Sequence, residues 1–168
     1  SVGSITLDST KDRRVRNLYD QDGLLVGTLD AGGFLVEYVY DHVGRLSQKI
    51  AYANLTSSTH WNAGTLTQLR PGVDNEQAAD HERDEITYFY YNQKGQQVGV
   101  LDAEGYLTET AYNEAGLVSS VVRYDHANLA YNASLTTVRG GVAATDTRWT
   151  TILSYDESQR VTQEIQRR

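Results

Sequence analysis

Residues 19–52 read YDQDGLLVGTLDAGGFLVEYVYDHVGRLSQKIAY, and residues 91–124 read YNQKGQQVGVLDAEGYLTETAYNEAGLVSSVVRY. Shifted by 72 positions (91 minus 19), the two stretches agree at 15 of 34 residues, including Tyr19/Tyr91, Gly27/Gly99, Leu29/Leu101, Glu37/Glu109 and Tyr52/Tyr124. Unrelated sequences of that length agree at about two. The chain therefore contains a duplication, and a repeat must be recognised before local structure is assigned.

Inside each copy a shorter signal recurs about every ten residues: an Asp or Asn followed, after two positions, by Gly. The pairs are Asp20/Gly23, Asp30/Gly33 and Asp41/Gly44 in the first copy, and Asn92/Gly95, Asp102/Gly105 and Asn113/Gly116 in the second. An Asp or Asn side chain caps the amides that follow it, and Gly takes the positive φ that ends a type I turn in a bulged hairpin. Between turns lie short runs such as Phe34-Leu35-Val36-Glu37-Tyr38-Val39-Tyr40, rich in β-branched and aromatic residues. Alternation along that run puts Phe34, Val36, Tyr38 and Tyr40 on one face and Glu37 on the other, where a glutamate suits a polar outer face. The second copy predicts Tyr106 and Tyr112 at the ends of the same stripe, with Glu109 opposite. A third copy begins at Tyr155-Asp156, where Ser158-Gln159-Arg160-Val161 lacks the expected Gly and implies a degenerate turn.

The segments 53–85 and 125–149 break this rhythm, and connections of that length usually carry structure of their own. They match each other at an offset of 69: Gly64-Thr65-Leu66-Thr67-Gln68-Leu69-Arg70 answers Ala133-Ser134-Leu135-Thr136-Thr137-Val138-Arg139. Thr65 and Ser134 suit a helix N-cap, and Leu-x-x-Leu/Val spacing puts two apolar side chains on one side. The prediction is an all-β, twisted antiparallel sheet of tandem hairpins, with one short helix in each linker laid across a sheet face or edge. Its units are 1–52, 53–85 (linker), 86–124, 125–149 (linker) and a partial third over 150–168.

With 15 basic and 22 acidic residues the net charge is -7, which disfavours nucleic acid and anionic membranes as partners. No apolar run approaches the roughly 20 residues of a membrane helix. The absence of Cys excludes disulfides and thiolate metal sites, and the absence of Met suggests a piece excised from a longer protein.

The pattern Tyr40-Asp41-His42-Val43-Gly44-Arg45-Leu46 resembles the YD repeat of the RHS family, which includes bacterial polymorphic toxins, cocoon-forming subunits of insecticidal toxin complexes, and teneurins. The resemblance covers roughly residues 14–52, 86–124 and 152–165. It implies a strip of hairpins that curls into a spiral or shell in a large secreted or bacterial surface protein, with adjacent repeats of the same parent chain as its partners. The Pro-rich self-cleaving motif that closes such shells is missing, Pro71 being the one proline.

Candidate chemistry is sparse. His42, His60, His81 and His126 lack ligand-pair spacing, and the charged run His81-Glu82-Arg83-Asp84-Glu85 reads as a solvated loop. The repeated Asp residues have no calcium-loop pattern, and no cofactor is expected. Glu37 and Glu109, as equivalent positions of different copies, are spaced by the repeat and not as an acid/base pair. Gly32-Gly33 and Gly140-Gly141 lack the setting of a phosphate loop. The best ligand or interface candidates are aromatics, Trp61, Trp149, Tyr88 and Tyr90, which suit stacking on sugars or anchoring a protein partner; their alternative role is to pack linker onto sheet. The expectation is a non-enzymatic scaffold, with a carbohydrate-binding module or a toxin-shell segment as alternatives. Unpaired edge strands make self-association a further expectation.

Overall fold

The computed structural model describes residues 14–71, 84–128, 132–142 and 148–168. It is all-β, with ten strands ordered as in the chain: β1 (Arg16–Tyr19), β2 (Leu25–Leu29), β3 (Phe34–Tyr40), β4 (Leu46–Leu55), β5 (Glu85–Tyr91), β6 (Gln97–Leu101), β7 (Tyr106–Tyr112), β8 (Val118–Ala127), β9 (Arg148–Tyr155) and β10 (Val161–Arg167). Helical structure is confined to the linkers: a 3-10 turn at Ser58–His60, α1 at Leu66–Leu69 and α2 at Leu135–Val142. Among the described residues no helix is long and apolar enough to cross a membrane.

The turns form as their chemistry requires. All six predicted glycines, Gly23, Gly33, Gly44, Gly95, Gly105 and Gly116, have positive φ, from 79 to 91°. In each turn the Gly amide donates to the carbonyl of the Asp or Asn, as Gly23 does to Asp20 and Gly116 to Asn113. The capping oxygen accepts from amides farther along: Asp20 Oδ1 from Asp22 and Leu24, Asn92 Oδ1 from Lys94 and Gln96, and Asn113 Oδ1 from Leu117. At 156–159, where Gly is missing, the turn still closes, with Gln159 itself at φ 61° and Asp156 Oδ1 accepting from Ser158 and Arg160. The backbone demand outweighs the side chain's reluctance, so this turn has the same shape at higher cost.

Gly116 makes a contact beyond its own turn as well. Its carbonyl accepts from the Gln96 side-chain amide at 3.5 Å, and a Cβ built on it would also lie 3.5 Å from that nitrogen. Gly116 therefore also meets the turn that begins at Asn92. The physical reason is that Gln96 follows Gly95 directly, so its side chain reaches along the sheet's turn end to the next turn on that side.

Contacts divide the molecule into two compact units. The first holds the described residues up to Val39 and from Ile50 to Asp84; the second holds Tyr40–Lys49 and Glu85–Arg168. In the first unit β2 pairs antiparallel with β1 and β3, and Leu18, Leu29, Leu35 and Leu69 form the core. In the second, β5 to β10 pair antiparallel in order, and the core is Tyr88, Leu101, Leu107, Tyr124 and Val138.

These cores reverse the predicted facing of the strands. On β3 the covered side chains are Leu35 and Glu37, at 0% and 4% exposure, whereas Phe34 is 43% exposed. Ionised carboxylates seldom go inside, which is why Glu37 reads as outward. It is inside because the linker brings a counter-charge to it.

The tyrosines before the turns have a backbone role. Within the second unit, the hydroxyls of Tyr91, Tyr112 and Tyr155 donate to the carbonyls of Leu46, Gln97 and Val118 at 2.9, 2.8 and 2.7 Å. Each acceptor lies two residues beyond a turn glycine of an earlier hairpin: Gly44, Gly95 and Gly116 in turn. The hydroxyl therefore staples one hairpin to a preceding one, satisfying a carbonyl at the sheet's turn end. Arg45 adds to this, its guanidinium 4.7 Å from the Tyr91 ring centre and its Nε bonded to Asp41 at 2.7 Å.

Candidate functional site

The strongest constellation in each unit is the device that fastens the linker to the hairpins. In the first unit the chain leaves β4 and the Thr56 amide donates to the Gly33 carbonyl at 2.9 Å. Trp61 then lies against Gly33 so closely that a Cβ there would sit 2.1 Å from Cζ2, and its Nε1 donates to Thr56 Oγ1 at 2.7 Å. Arg16 holds the next stretch by bonding the carbonyls of His60, Trp61 and Gly64 at 3.4, 3.3 and 2.7 Å. Thr65 caps α1 in a reciprocal capping box with Gln68. Leu66 drops into a notch over Gly27, where an added Cβ would meet its Cδ1 at 3.0 Å, and Leu69 enters the core.

Beyond α1, Arg70 reaches Glu37 with Nε at 2.8 Å and Nη2 at 2.5 Å, and the Tyr52 hydroxyl donates to the same carboxylate at 2.8 Å. Burial, and then the hydrogen bond to Glu37, push the Tyr52 hydroxyl far above its ordinary pKa, while bonding to Glu37 raises that of Arg70. A carboxylate this enclosed is stable only with its charge matched and its lone pairs occupied. Tyr52 and Arg70 supply both.

The second unit repeats the arrangement. Asn128 donates to the Gly105 carbonyl at 2.8 Å, Ser134 caps α2 through the Thr137 amide at 3.2 Å, and Leu135 fills the notch over Gly99. Val138 enters the core, Arg139 binds Glu109 through Nε and Nη2, and the Tyr124 hydroxyl donates to Glu109 at 2.7 Å. Burial and then Glu109 raise the pKa of Tyr124, as at Tyr52. The copies also differ: Tyr88 stands where Arg16 does (16 plus 72), so an aromatic core residue replaces a guanidinium tether, and alanine stands where Trp61 does.

Glu37 and Glu109 thus lie in different units, each bonded within its own. The aromatic candidates take three positions. Tyr88 is 7% exposed and belongs to the core, so the expectation that it offers an open ring is corrected; its strand partner Leu101 and helix residue Val138 cover it. Trp61 packs linker to sheet, and the half-buried Tyr90 donates to the Ala133 carbonyl at 3.2 Å. Trp149 is 52% exposed on β9, with the Arg168 guanidinium 5.3 Å from its ring.

The twelve turn residues form the turns described above, and three of the glycines do more. Gly33 and Gly105 offer their carbonyls to the linker, and Gly116 offers its own to Gln96. His42 is exposed in a turn and His126 lies 3.4 Å from Asp125; residues 81–83 fall outside the described residues. Among the described residues no three His, Asp or Glu side chains gather as a metal set.

Sequence comparison alone pairs Glu37 with Glu109, Tyr52 with Tyr124 and Arg70 with Arg139, but at two offsets, 72 and 69, so the three members of each clamp are not joined. The signal is present. What it lacks is the fact that the linker folds back onto its own hairpins.

The fold is shared with a solved structure. A chain of the Photorhabdus luminescens Tc holotoxin pore, solved with a TccC3 mutation, is similar over 90% of this chain and 5% of that chain, at 14% identity and a TM-score of 0.55. A TcdB2-TccC3 crystal structure is similar over 92% of this chain and 8% of that chain, at 18% identity and a TM-score of 0.45. The first likeness shows a shared fold, and this chain spans a small fraction of either protein. No protein-family model and no curated protein matches the chain.

Proposed function

We propose that this chain is a non-catalytic scaffold segment of a large secreted or cell-surface protein of the RHS/YD-repeat kind, serving as part of a toxin-complex shell. The observation that carries the reading is the repeated clamp. In both units a carboxylate withdrawn from solvent, Glu37 with Arg70 and Tyr52, and Glu109 with Arg139 and Tyr124, is committed to holding linker against hairpin. Such a unit is self-sealed and can be laid beside the next, which is how a repeat array gains stability. The shared fold with a Tc holotoxin chain supports the shell role. Adjacent repeats of a parent chain and other chains of a toxin complex are the partners this implies.

The test is a screen of ester, glycoside, peptide and phosphoester hydrolysis alongside limited proteolysis. The reading predicts no turnover above background, and linkers that resist cleavage until the unit unfolds. Turnover that disappears in Glu109→Gln, with the fold retained, would overturn it.

A further inference from the structure

The turn end of the second unit holds a hollow that the clamp does not use. It lies between the turns 92–95 and 113–116 and offers about 420 Å³, within the roughly 300–1,000 Å³ of small-ligand sites. Gly99 and Glu109 oppose each other and face α2, through Leu135 and Arg139, so their neighbours Val98 and Thr110 form a floor on the opposite face of the sheet. Lys94 and Gln96 wall one side, and Tyr112 and Asn113 the other. These walls are tied down. Gln96 accepts from the Asn92 side-chain amide at 2.9 Å, and the Tyr112 hydroxyl donates to the Gln97 carbonyl at 2.8 Å, which holds the ring in place. Lys94 is exposed, and among the described residues no carboxylate pairs with it. Asn113 gives its Oδ1 to the Leu117 amide and keeps Nδ2 for donation.

The first copy has a different chemistry at the same positions. At the offset of 72, Asn92, Lys94 and Asn113 stand where Asp20, Asp22 and Asp41 do, and Thr110 stands where Tyr38 does. The second copy thus lacks three carboxylates in one place, has a cation there, and carries a small hydroxyl residue in place of a ring. Although the chain has a net charge of -7, no carboxylate lines the hollow among the described residues. An anion is not repelled there, and Lys94 offers it a charge-assisted hydrogen bond. The side-chain amides of Gln93 and Asn113 and the Thr110 hydroxyl suit hydroxyl groups, which both donate and accept, and the Tyr112 ring suits the apolar face of a sugar. We propose that this hollow binds a hexuronate, with the sugar's carboxylate on Lys94 and its ring against Tyr112. This does not rest on the shell reading.

Titration of the full chain with sodium galacturonate, followed by amide NMR, tests this, with galactose and acetate as controls at the same ionic strength. Galacturonate should move the side-chain amides of Gln93 and Asn113 and the backbone amides of Lys94 and Thr110, saturating in the millimolar range. Galactose lacks the carboxylate and acetate lacks the ring, so each should bind about tenfold more weakly. Lys94→Gln should weaken galacturonate about tenfold, to the level of galactose. Thr110→Tyr, which puts the first copy's residue on the floor, should abolish binding by filling it. Lys94 is an exposed turn residue, so its variant keeps the fold; unchanged amide shifts elsewhere check both variants, and Lys94→Gln decides alone should Thr110→Tyr misfold. No shifts with galacturonate, acetate binding as tightly as galacturonate, as a site for acidic peptide side chains would give, or galacturonate binding unchanged in Lys94→Gln overturns the proposal.

Discussion

Truncating Arg70 to Ala leaves the Glu37 carboxylate, 4% exposed, with only the Tyr52 hydroxyl to hold it among the described residues. Removing one member of a buried ion pair costs about 3–5 kcal/mol because the other charge stays buried and unmatched. The Arg70 side chain is 46% exposed, so water enters where it is removed and the loss falls to about 2 kcal/mol. Arg139→Ala should cost less, about 1 kcal/mol, since the Glu109 side chain is 14% exposed against 5% for Glu37. Urea unfolding followed by tryptophan fluorescence reads this directly, because Trp61 belongs to the first unit and Trp149 to the second. In a Trp149→Phe background, where Trp61 alone reports, Arg70→Ala should lower the midpoint by about 1 M, from a urea dependence of about 2 kcal/mol/M. Adding Glu37→Gln should recover part of the loss, as the stranded charge is gone. A shift under about 0.3 M, or a double variant no more stable than Arg70→Ala, would mean that the ion pair does not hold the linker.

Other consequences concern single turns and titration. Gly33→Ala must displace Trp61 as well as adopt φ 91°, whereas Gly95→Ala has no atom within 4 Å of its new Cβ. Thermal unfolding should therefore show Gly95→Ala losing about 1 kcal/mol and Gly33→Ala about 2 kcal/mol more, the latter with red-shifted emission. Gln159→Gly should stabilise the second unit by about 1 kcal/mol, since Gln159 already holds φ 61°. Burial raises the folded-state pKa of Tyr52, Tyr90, Tyr91 and Tyr124 above the ordinary value of 10.0. The folded chain then keeps protons the unfolded chain gives up, so stability is complete below pH 10 and falls as pH rises beyond it. Backbone amides lower the pKa of Asp41 and Asp156 below 3.8, so their contribution is present above that pH and is lost on acidification through it. Denaturant midpoints between pH 3 and 11 check both limbs.

The turns were legible in the sequence because their determinants are local: a capping oxygen and a glycine three residues apart act on the backbone between them. The linker helices were legible for the same reason, with Thr65 and Ser134 as caps. The facing of the strands was not. Alternation identifies two faces without saying which is covered, and here the answer depends on a linker that returns about 30 residues later, Arg70 to Glu37 and Arg139 to Glu109. Gly27 and Gly99 read as strand glycines until Leu66 and Leu135 explain them as notches. The second partner of Gly116 was equally hidden, because Gln96 lies 20 residues away and meets it only once the hairpins are side by side. The hydroxyls of Tyr91, Tyr112 and Tyr155 likewise find backbone carbonyls of other hairpins, partners that a local motif does not name.

Each linker belongs to its repeat. Amide hydrogen exchange by NMR tests it at Thr56 and Asn128, whose amides donate to the carbonyls of Gly33 and Gly105. Both should exchange with the protection of strand amides in their own unit, and lose it only when that unit opens. Exchange at the rate of an unstructured loop, in either one, would contradict the account.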